Sequence, residues 1–366
     1  MPVEADLVVV GGGAAGMAAA RTAVRTGATV ALVQDGPVGG DCTFTGCVPS
    51  KTLIESAAGG EGFAAAMARV HATVGRIAET ETADVLRREG ITVLEGRARI
   101  RSGRRVEVAG TTVEAGRLVI ATGARPALPP IKGLAGGPFL TSETVWGLSR
   151  APTSLLVLGG GAIGCELAQA FRQFGVRVTV VEGADRLLGK EEPAASEVIT
   201  GVFQRDGIEL RLGATAVRVN HSAPDTIRVE LDDGSAIEAE QLLVAVGRTP
   251  VTEGLGLESA GVGVDERGFV RTDERMATSA RGVFAAGDVT GRLPFTHAAD
   301  EMGRIAAGNA LRRLARQRFH AEWTPWVHLH PSRGGPGRAD RGRSRRPRRA
   351  GRVPADGRGR PGDRGR

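Results

Sequence analysis

Two cysteines and a lysine lie close together near the start of the chain, in the run from Gly39 to Lys51, which reads GGDCTFTGCVPSK. Cys42 and Cys47 are five positions apart, so they could close a small disulfide ring. An opened ring would offer one thiol to a substrate and the other to a cofactor. The spacing therefore favours two-electron exchange at a redox-active disulfide, and a metal site is the alternative use of a cysteine pair.

Composition limits where this chemistry takes place. The 366 residues include only three cysteines, which excludes a secreted disulfide framework. No apolar run approaches the length of a membrane span, and residues 1–10 lack the basic region of a signal peptide. No cluster of histidines accompanies the cysteine pair, so we favour redox chemistry over metal binding. The sequence predicts a soluble, cytoplasmic protein with no membrane partner.

Two glycine-rich units must position these residues. In the first, the apolar run Leu7–Val10 is followed by a glycine loop, a helix-favouring stretch and a second apolar run, Val30–Val33. The same pattern recurs from Leu155 to Glu182. The loop glycines of the first unit are Gly11, Gly13 and Gly16, and those of the second unit are Gly159, Gly161 and Gly164. Two such units predict an α/β protein with two Rossmann-like dinucleotide-binding domains.

The cysteine run and the two glycine units together closely resemble the class I pyridine nucleotide–disulfide oxidoreductases, in particular dihydrolipoamide dehydrogenase and mercuric reductase. Gly-Gly before Cys42 and Gly-Cys-Val-Pro-Ser-Lys up to Lys51 carry the likeness. The resemblance covers residues 4 to about 327. It implies FAD at the first glycine loop, NAD(P)H at the second, and a second nucleotide domain inserted within the first.

The resemblance also assigns roles to side chains. It implies that Cys47 lies against the flavin as a thiolate and that Cys42 is the thiol that attacks substrate. Lys51 and Glu166 match positions that pair beside the flavin, where a cation favours the reduced ring. Asp288 is expected on the ribityl hydroxyls. The other residues expected to contact the cofactors are Gly40, Thr122, Gly123, Gly247 and Gly287.

The end of the second strand in each unit sets how the adenosine ribose is bound. Glu182 stands there in the second unit, where a carboxylate would repel a 2′-phosphate, so we favour NADH over NADPH. Arg177 and Arg186 are close enough in sequence to weaken this preference. In the first unit the family has an acidic residue, whereas this chain has Gln34, which can still accept a hydrogen bond. We therefore expect FAD to bind, with reduced affinity.

We place domain boundaries from these patterns. The predicted FAD-binding domain comprises residues 1–150 plus 283–320, and the predicted NAD(P)-binding domain comprises residues 151–282. Residues 328–366 are predicted to be disordered, because they are rich in Arg, Gly and Pro and poor in apolar residues. Within this stretch, residues 331–366 contain 13 Arg, 3 Asp and no Lys, so the rest of the chain carries a net charge of −3 out of the total of +7.

The C-terminal region departs from the family. The resemblance implies a further domain of about 100 residues that forms a homodimer and supplies an acid–base histidine. We expect that domain to be absent here. GC-rich codons can be chosen for residues 327–344. When these codons are translated one nucleotide out of register, the resulting amino-acid sequence resembles the start of that domain. We therefore interpret residues 328–366 as a frameshift product that replaces the dimerisation domain and impairs turnover.

These observations predict an enzyme that passes electrons from NAD(P)H through FAD to a Cys42–Cys47 disulfide and on to a small disulfide or a metal ion. Two alternatives stay open. One is a flavin diaphorase or oxidase that does not use the disulfide. The other is an inactive remnant whose basic tail binds nucleic acid, but the tail has no aromatic residue after Trp326, so we expect no nucleic-acid partner.

Overall fold

The computed structural model describes residues 3–101, 104–223, 226–311 and 317–327. The predictions made for residues 328–366 lie outside this range. The strands are β1 (Val3–Val10), β2 (Val30–Gln34), β3 (Ile91–Glu95), β4 (Arg99–Arg101), β5 (Arg105–Val108), β6 (Thr111–Ile120), β7 (Ala124–Pro126), β8 (Ser154–Leu158), β9 (Arg177–Glu182), β10 (Glu209–Leu212), β11 (Ala216–Ala223), β12 (Thr226–Leu231), β13 (Ala236–Ala239), β14 (Gln241–Val244), β15 (Arg248–Pro250) and β16 (Val283–Ala285). The helices are α1 (Ala14–Val24), α2 (Gly40–Phe44), α3 (Cys47–Ala58), α4 (Phe63–Ala78), α5 (Ala83–Arg88), α6 (Ala162–Gln173), α7 (Pro193–Asp206) and α8 (Thr296–Leu311).

The first sheet is built on the first glycine unit. Its strand order is β3-β2-β1-β6-β5-β4, and β1, β2, β3 and β6 run parallel. Residues 7–10 of β1 are at most 3% exposed, as expected for a strand that is covered on both faces. Strand β16 pairs in parallel with the end of β6, so the chain returns to this sheet after the second unit. The predicted insertion of one nucleotide domain within another is therefore confirmed.

The second sheet repeats the arrangement. Strands β10, β9, β8 and β14 pair in parallel, with helix α6 packed on β8 and β9. A smaller antiparallel sheet of β11, β12 and β13 follows in the same part of the molecule. The predicted α/β class with two Rossmann-like units is confirmed.

The chain passes between the two units through one antiparallel ribbon. Strand β7 pairs with β15, with Ala124 opposite Pro250. Residues between the two strands of the ribbon and residues after β15 are buried in different cores. Leu134 is buried in the core of the second unit, whereas Leu255 and Val270 are buried in the core of the first. By packing, the second unit thus occupies roughly the chain between β7 and β15.

A helical hairpin fills the space between the two units. Helices α3 and α4 pack against each other, and α3 also packs on α6. Leu53 and Met67 of this hairpin share a buried cluster with Phe171 of α6. Helix α3 is therefore fixed from both units, and its first residue is Cys47. No helix in the described part of the chain is both long and apolar enough to cross a bilayer.

Candidate active site

The first glycine loop makes a tight turn between β1 and α1. Gly11 has φ +107°, and a Cβ there would overlap the Ala121 carbonyl oxygen, so only glycine fits. A Cβ on Gly16 would overlap the Gly11 carbonyl oxygen, which explains why the helix can cross so close to the strand. Gly13 is the N-cap of α1 and no side chain caps the helix, so its first N–H groups are left for a ligand.

The second glycine loop has the same construction. Gly159 again has φ +107°, and its Cβ would overlap the Ala245 carbonyl oxygen. Gly164 approaches Gly159 as Gly16 approaches Gly11. Gly161 is the uncapped N-cap of α6 and would have no atom within 4 Å of a Cβ. Both loops therefore place a helix N-terminus and bare backbone at the end of a parallel strand, as pyrophosphate binding requires.

Gln34 and Glu182 occupy equivalent places at the ends of β2 and β9. Gln34 Oε1 accepts from the Gly12 amide at 2.6 Å, and Glu182 Oε2 accepts from the Gly160 amide at 2.5 Å. The second polar atom of each side chain makes a different kind of hydrogen bond. Gln34 Nε2 donates to the carbonyls of Asp35 and Pro37, both at 3.0 Å, while Glu182 Oε1 accepts from the Ala184 amide at 2.8 Å. Glu182 is thus a carboxylate held by backbone donors, and Gln34 is an uncharged amide at the equivalent position.

The cysteine run starts against the first glycine loop. Gly39 donates its amide to the Gly12 carbonyl at 3.0 Å, and a Cβ on Gly40 would lie 2.7 Å from Gly13 Cα. Helix α2 begins at Gly40 and carries Cys42, which is half-buried. Cys47 is exposed and is the first residue of α3. Both sulfurs are free thiols, positioned beside the first loop.

The two thiols have opposite protonation behaviour. The hydrogen bond that the Cys42 thiol donates to Cys47 is the main cause that lowers the pKa of Cys47 to about 5, and the Thr296 contact and the Lys51 charge act in the same direction. Burial and Glu166 oppose this shift. The same hydrogen bond, followed by burial, raises the pKa of Cys42. These shifts favour a thiolate at Cys47 and a thiol at Cys42 in the reduced pair.

Helix geometry supports the same assignment for Cys47. Its sulfur lies at the N-terminus of a 12-residue helix, where the helix dipole favours a negative charge. Thr296 Oγ1, at the start of α8, lies 3.5 Å from the sulfur. His297 beside it is exposed and stacks on Phe295 with ring centroids 5.8 Å apart.

Lys51 and Glu166 are brought together from separate units. Lys51 Nζ lies 2.5 Å from Glu166 Oε2, which joins α3 to α6. Lys51 stands one helical turn after Cys47, so its charge faces the thiolate region. Sequence reasoning expected this pairing, and the geometry is that of an ion pair at the boundary between the two nucleotide units.

The contacts of one charged residue, Arg248, were not predicted from the sequence. Arg248, the first residue of β15, hydrogen-bonds Asp41 and the Ala124 carbonyl, and its Nε lies 3.3 Å from Asp288 Oδ2. That Nε is buried and is not aligned for a hydrogen bond with any described group. Burial raises the pKa of Asp288, against the opposing effect of Arg248. The signal available in sequence was only the position of Arg248 directly after Gly247.

The remaining residues predicted to contact the cofactors lie in turns. Gly123, Gly247 and Gly287 have φ values of +73°, +143° and +80°. A Cβ on Gly287 would lie 3.0 Å from Ala15 Cβ, so the turn that carries Asp288 packs on the start of α1. The Thr122 hydroxyl donates to the Val251 carbonyl at 2.6 Å. Cys165, by contrast, is fully buried in α6 and donates to the Gly160 carbonyl at 3.2 Å.

These features fit two dinucleotides. Two bare helix N-termini follow parallel strands, and the space beside Gly161, Gly123 and Gly247 holds no atom within 4 Å of a Cβ position. The buried, unsatisfied Nε of Arg248 suits an oxygen-bearing ligand at the first of these sites. Among the described residues, the cysteine pair belongs to no group of three or more His, Cys, Asp or Glu side chains that could hold a metal.

Comparison with known proteins agrees with this geometry. Residues 5–303 match the family model described as pyridine nucleotide-disulphide oxidoreductase. A glutathione reductase from Burkholderia cepacia is 36% identical over 319 residues, which cover 82% of this chain and 70% of that protein. A mercuric reductase from Staphylococcus aureus is 35% identical over 341 residues, which cover 88% of this chain and 62% of that protein.

A solved structure has the same fold. The HOCl-induced flavoprotein disulfide reductase RclA from Escherichia coli superposes with a TM-score of 0.82 at 30% identity, covering 88% of this chain and 75% of that one. The chain belongs to the pyridine nucleotide–disulfide oxidoreductase family. Members of this family use FAD and NAD(P)H.

Proposed function

We propose that this protein transfers electrons from NADH, through FAD, to the Cys42–Cys47 pair and on to a small disulfide or a metal ion. One observation carries the proposal. Two free thiols lie at the starts of neighbouring helices, Cys42 on α2 and Cys47 as the first residue of α3, and α2 begins against the first dinucleotide loop. Such a pair is poised to form a disulfide and to be reduced again.

FAD is assigned to the first unit and NADH to the second. The first site would use the bare N-terminus of α1 for the pyrophosphate, and its ligands are Gly11, Gly13, Gly16, Gln34, Gly40, Thr122, Gly123, Gly287 and Asp288. The second site would use the N-terminus of α6, and its ligands are Gly159, Gly161, Gly164, Glu182 and Gly247. FAD bound at the first site would supply the two-electron chemistry that links NADH oxidation to reduction of the Cys42–Cys47 disulfide. By packing, we propose that the second domain runs from about residue 127 to residue 247.

The preference for NADH follows from the groups around Glu182. The Arg186 guanidinium donates to the Glu191 and Gly189 carbonyls and to Ser196 Oγ, so it is committed elsewhere. Arg177 begins β9 and Glu182 ends it, about 17 Å away at the usual rise of a strand. A 2′-phosphate at this site would therefore meet the carboxylate with neither arginine to balance it.

Residues of this chain would determine which sulfur carries the proton after the disulfide is reduced. Reduction of the disulfide consumes two electrons and one proton, and leaves Cys42 as the thiol and Cys47 as the thiolate. Lys51 stabilises that thiolate, and Glu166 holds Lys51 in place. The Cys42 thiol, once deprotonated, would attack the acceptor.

The acceptor is proposed only as a class. The named relatives act on glutathione disulfide or on mercuric ion, which matches a nucleophilic thiol at Cys42. A homodimer built by a C-terminal domain is the family expectation, and it concerns residues outside those described.

An anaerobic titration of the purified protein with NADH tests the proposal. We expect the flavin to be reduced and a long-wavelength thiolate–flavin absorbance to appear after two-electron reduction. Cys47→Ser should abolish that absorbance and leave flavin reduction intact. If the protein reduced dyes or oxygen with NADH but no disulfide, and Cys47→Ser left that activity unchanged, the enzyme would instead be a diaphorase or oxidase that does not use the cysteines. Protein that binds no flavin would contradict both readings.

A further inference from the structure

The loop that joins the two thiols makes a tight turn. We call residues 41–47 the thiol loop. The amides of Thr45 and Gly46 both donate to the Asp41 carbonyl, at 2.9 and 2.5 Å. A Cβ on Gly46 would lie 2.8 Å from the same oxygen. Helix α2 within the loop has only five residues, and a helix this short is not stable by itself in water. Contacts from outside must therefore hold the loop.

Trp146 provides one such contact. Its indole Nε1 donates to the Thr45 carbonyl at 3.1 Å and to the Ser142 carbonyl at 2.8 Å. The residue is 7% exposed and shares a buried cluster with Leu53 of α3 and Phe171 of α6. The donor is thus held by packing against the helical hairpin and the second nucleotide unit. The Thr45 carbonyl lies just after the last residue of α2, where a helix leaves backbone acceptors without partners.

Glu81 provides a second contact from another segment. Its Oε2 accepts from Thr43 Oγ1 at 2.7 Å, and Thr43 is 3% exposed. Glu81 lies in the connection between α4 and α5, far in sequence from Trp146. The same carboxylate oxygen would lie 3.0 Å from a Cβ on Gly39, so it also packs against the start of the cysteine run. The thiol loop is consequently fixed at both Thr43 and Thr45.

We propose that Trp146 and Glu81 are positioning residues that hold the thiol loop so that the Cys42 thiol stays hydrogen-bonded to the Cys47 sulfur after the disulfide is reduced. The inference rests on the proposed function in one respect, that the pair cycles between disulfide and dithiol. In the reduced state no covalent bond joins the sulfurs, so the conformation of the thiol loop contributes to keeping them together. Neither Trp146 nor Glu81 belongs to the cysteine motif or to the glycine loops.

The test measures how fast iodoacetamide alkylates Cys47 as a function of pH, in the full-length protein reduced with a phosphine and analysed by peptide mass spectrometry. Trp146→Phe keeps an aromatic ring and removes the N–H donor. We expect the midpoint of Cys47 reactivity to rise from about 5. A rise of about one pKa unit would lower the alkylation rate at pH 5 about fivefold and leave the rate at pH 9 unchanged.

Two further variants make the result specific. Trp326→Phe is the matched control, because it removes an indole donor that bonds Glu191 Oε2 at 3.0 Å and keeps an aromatic ring against Phe295, so we expect an unchanged profile. Thr43→Val removes the other anchor and should shift the midpoint in the same direction as Trp146→Phe. Glu81→Gln keeps an acceptor for Thr43 and should leave the midpoint near its original value.

Unchanged profiles in folded Trp146→Phe and Thr43→Val would overturn the inference. If Trp146→Phe does not fold, as judged by circular dichroism, Thr43→Val decides. The readout uses chemically reduced protein and needs neither NADH nor turnover. A failure of the proposed function, seen as no reduction of the pair by NADH, is therefore distinguishable from a failure of the positioning role.

Discussion

The ammonium of Lys51 and the carboxylate of Glu166 lie 2.5 Å apart and join the helix that begins at Cys47 to the helix that begins at the second glycine loop. The Glu166 side chain is 8% exposed and that of Lys51 is 37% exposed. Lys51 lowers the pKa of Cys47, whereas Glu166 raises it. The pair therefore applies opposite electrostatic effects to one sulfur, and mutation can separate them.

Variants of this ion pair should shift Cys47 in opposite directions. Lys51→Met removes the cation and should raise the pKa of Cys47, while Glu166→Gln removes the anion and should lower it, each by roughly half a unit to one unit. The pH dependence of Cys47 alkylation measures both shifts. Shifts of the same sign in the two variants would show that the pair acts on the sulfur through structure and not through charge.

The partner thiol should have the largest effect on Cys47. The reduced protein holds Cys47 as a thiolate at neutral pH, and that thiolate is lost as the pH falls through about 5. Cys42→Ala removes the hydrogen bond that is the main cause of the low pKa, so the midpoint should rise toward the ordinary value of 9.0. Cys42→Ser keeps an O–H donor and should give an intermediate midpoint. Ultraviolet thiolate absorbance followed against pH measures all three proteins.

Alanine substitutions in the two glycine loops should each weaken the binding of a different cofactor. Gly16→Ala places a Cβ on the Gly11 carbonyl oxygen and should weaken flavin binding by about tenfold or more. Gly164→Ala does the same at the second loop, so the protein should keep its flavin, which dithionite would reduce and NADH would not. Gly75→Ala in α4 meets no atom within 4 Å and serves as the control. Loss of flavin from Gly164→Ala would contradict the assignment of the two sites.

The choice between NADH and NADPH should depend on the charge of Glu182. Glu182→Gln keeps an oxygen for the Gly160 amide and removes the negative charge. We expect the ratio of kcat/KM for NADH over NADPH to fall by about tenfold, because the repulsion of a 2′-phosphate is lost. Gln34→Glu is the matched change in the first unit, and it should leave this ratio as it is. An unchanged ratio in Glu182→Gln would assign the preference to other residues.

Arg248 should contribute to stability through its two carboxylate partners. Arg248→Met leaves Asp41 and the half-buried Asp288 without their cation, and should lower the free energy of unfolding by about 1–3 kcal/mol after allowance for partial exposure. Arg125→Met is the control, because the pair between Arg125 and Glu253 is exposed and should contribute less than about 1 kcal/mol. Denaturant unfolding of the flavin-free protein measures both variants. Equal losses would show that burial gives Arg248 no special role.

The sequence predicted those parts of the site that depend on local backbone requirements. Gly11 and Gly16 are needed where a helix crosses a strand this closely, so their spacing, together with the apolar run before it and the helix after it, predicts a nucleotide loop. The strands at Leu7–Val10 and Leu155–Leu158 were equally readable, because strands buried on both faces are continuous apolar runs. The pairing of Lys51 with Glu166 came from resemblance, since no local rule connects residues 115 positions apart.

What the sequence did not predict arises where separate segments dock. Arg248 reaches Asp41 across 207 positions, and Trp146 reaches Thr45 across 101. No periodicity or spacing encodes such contacts, because each depends on how the ribbon and the helical hairpin pack. The residues between the ribbon and β16 illustrate the same limit. The sequence of their strands and turns does not indicate which sheet they cover. The burial of Leu255 and Val270 shows that they pack with the first unit.

The ribbon of β7 and β15 brings together the two points at which the chain enters and leaves the second unit. Ala124 and Pro250 face each other across the ladder, at the roughly 5 Å spacing of paired antiparallel residues. A short turn could therefore reconnect the chain there and leave β1, β6 and β16 in register. The second unit thus enters the first at a single place in the chain, although Leu53 of α3 and Phe171 of α6 share one buried cluster across them.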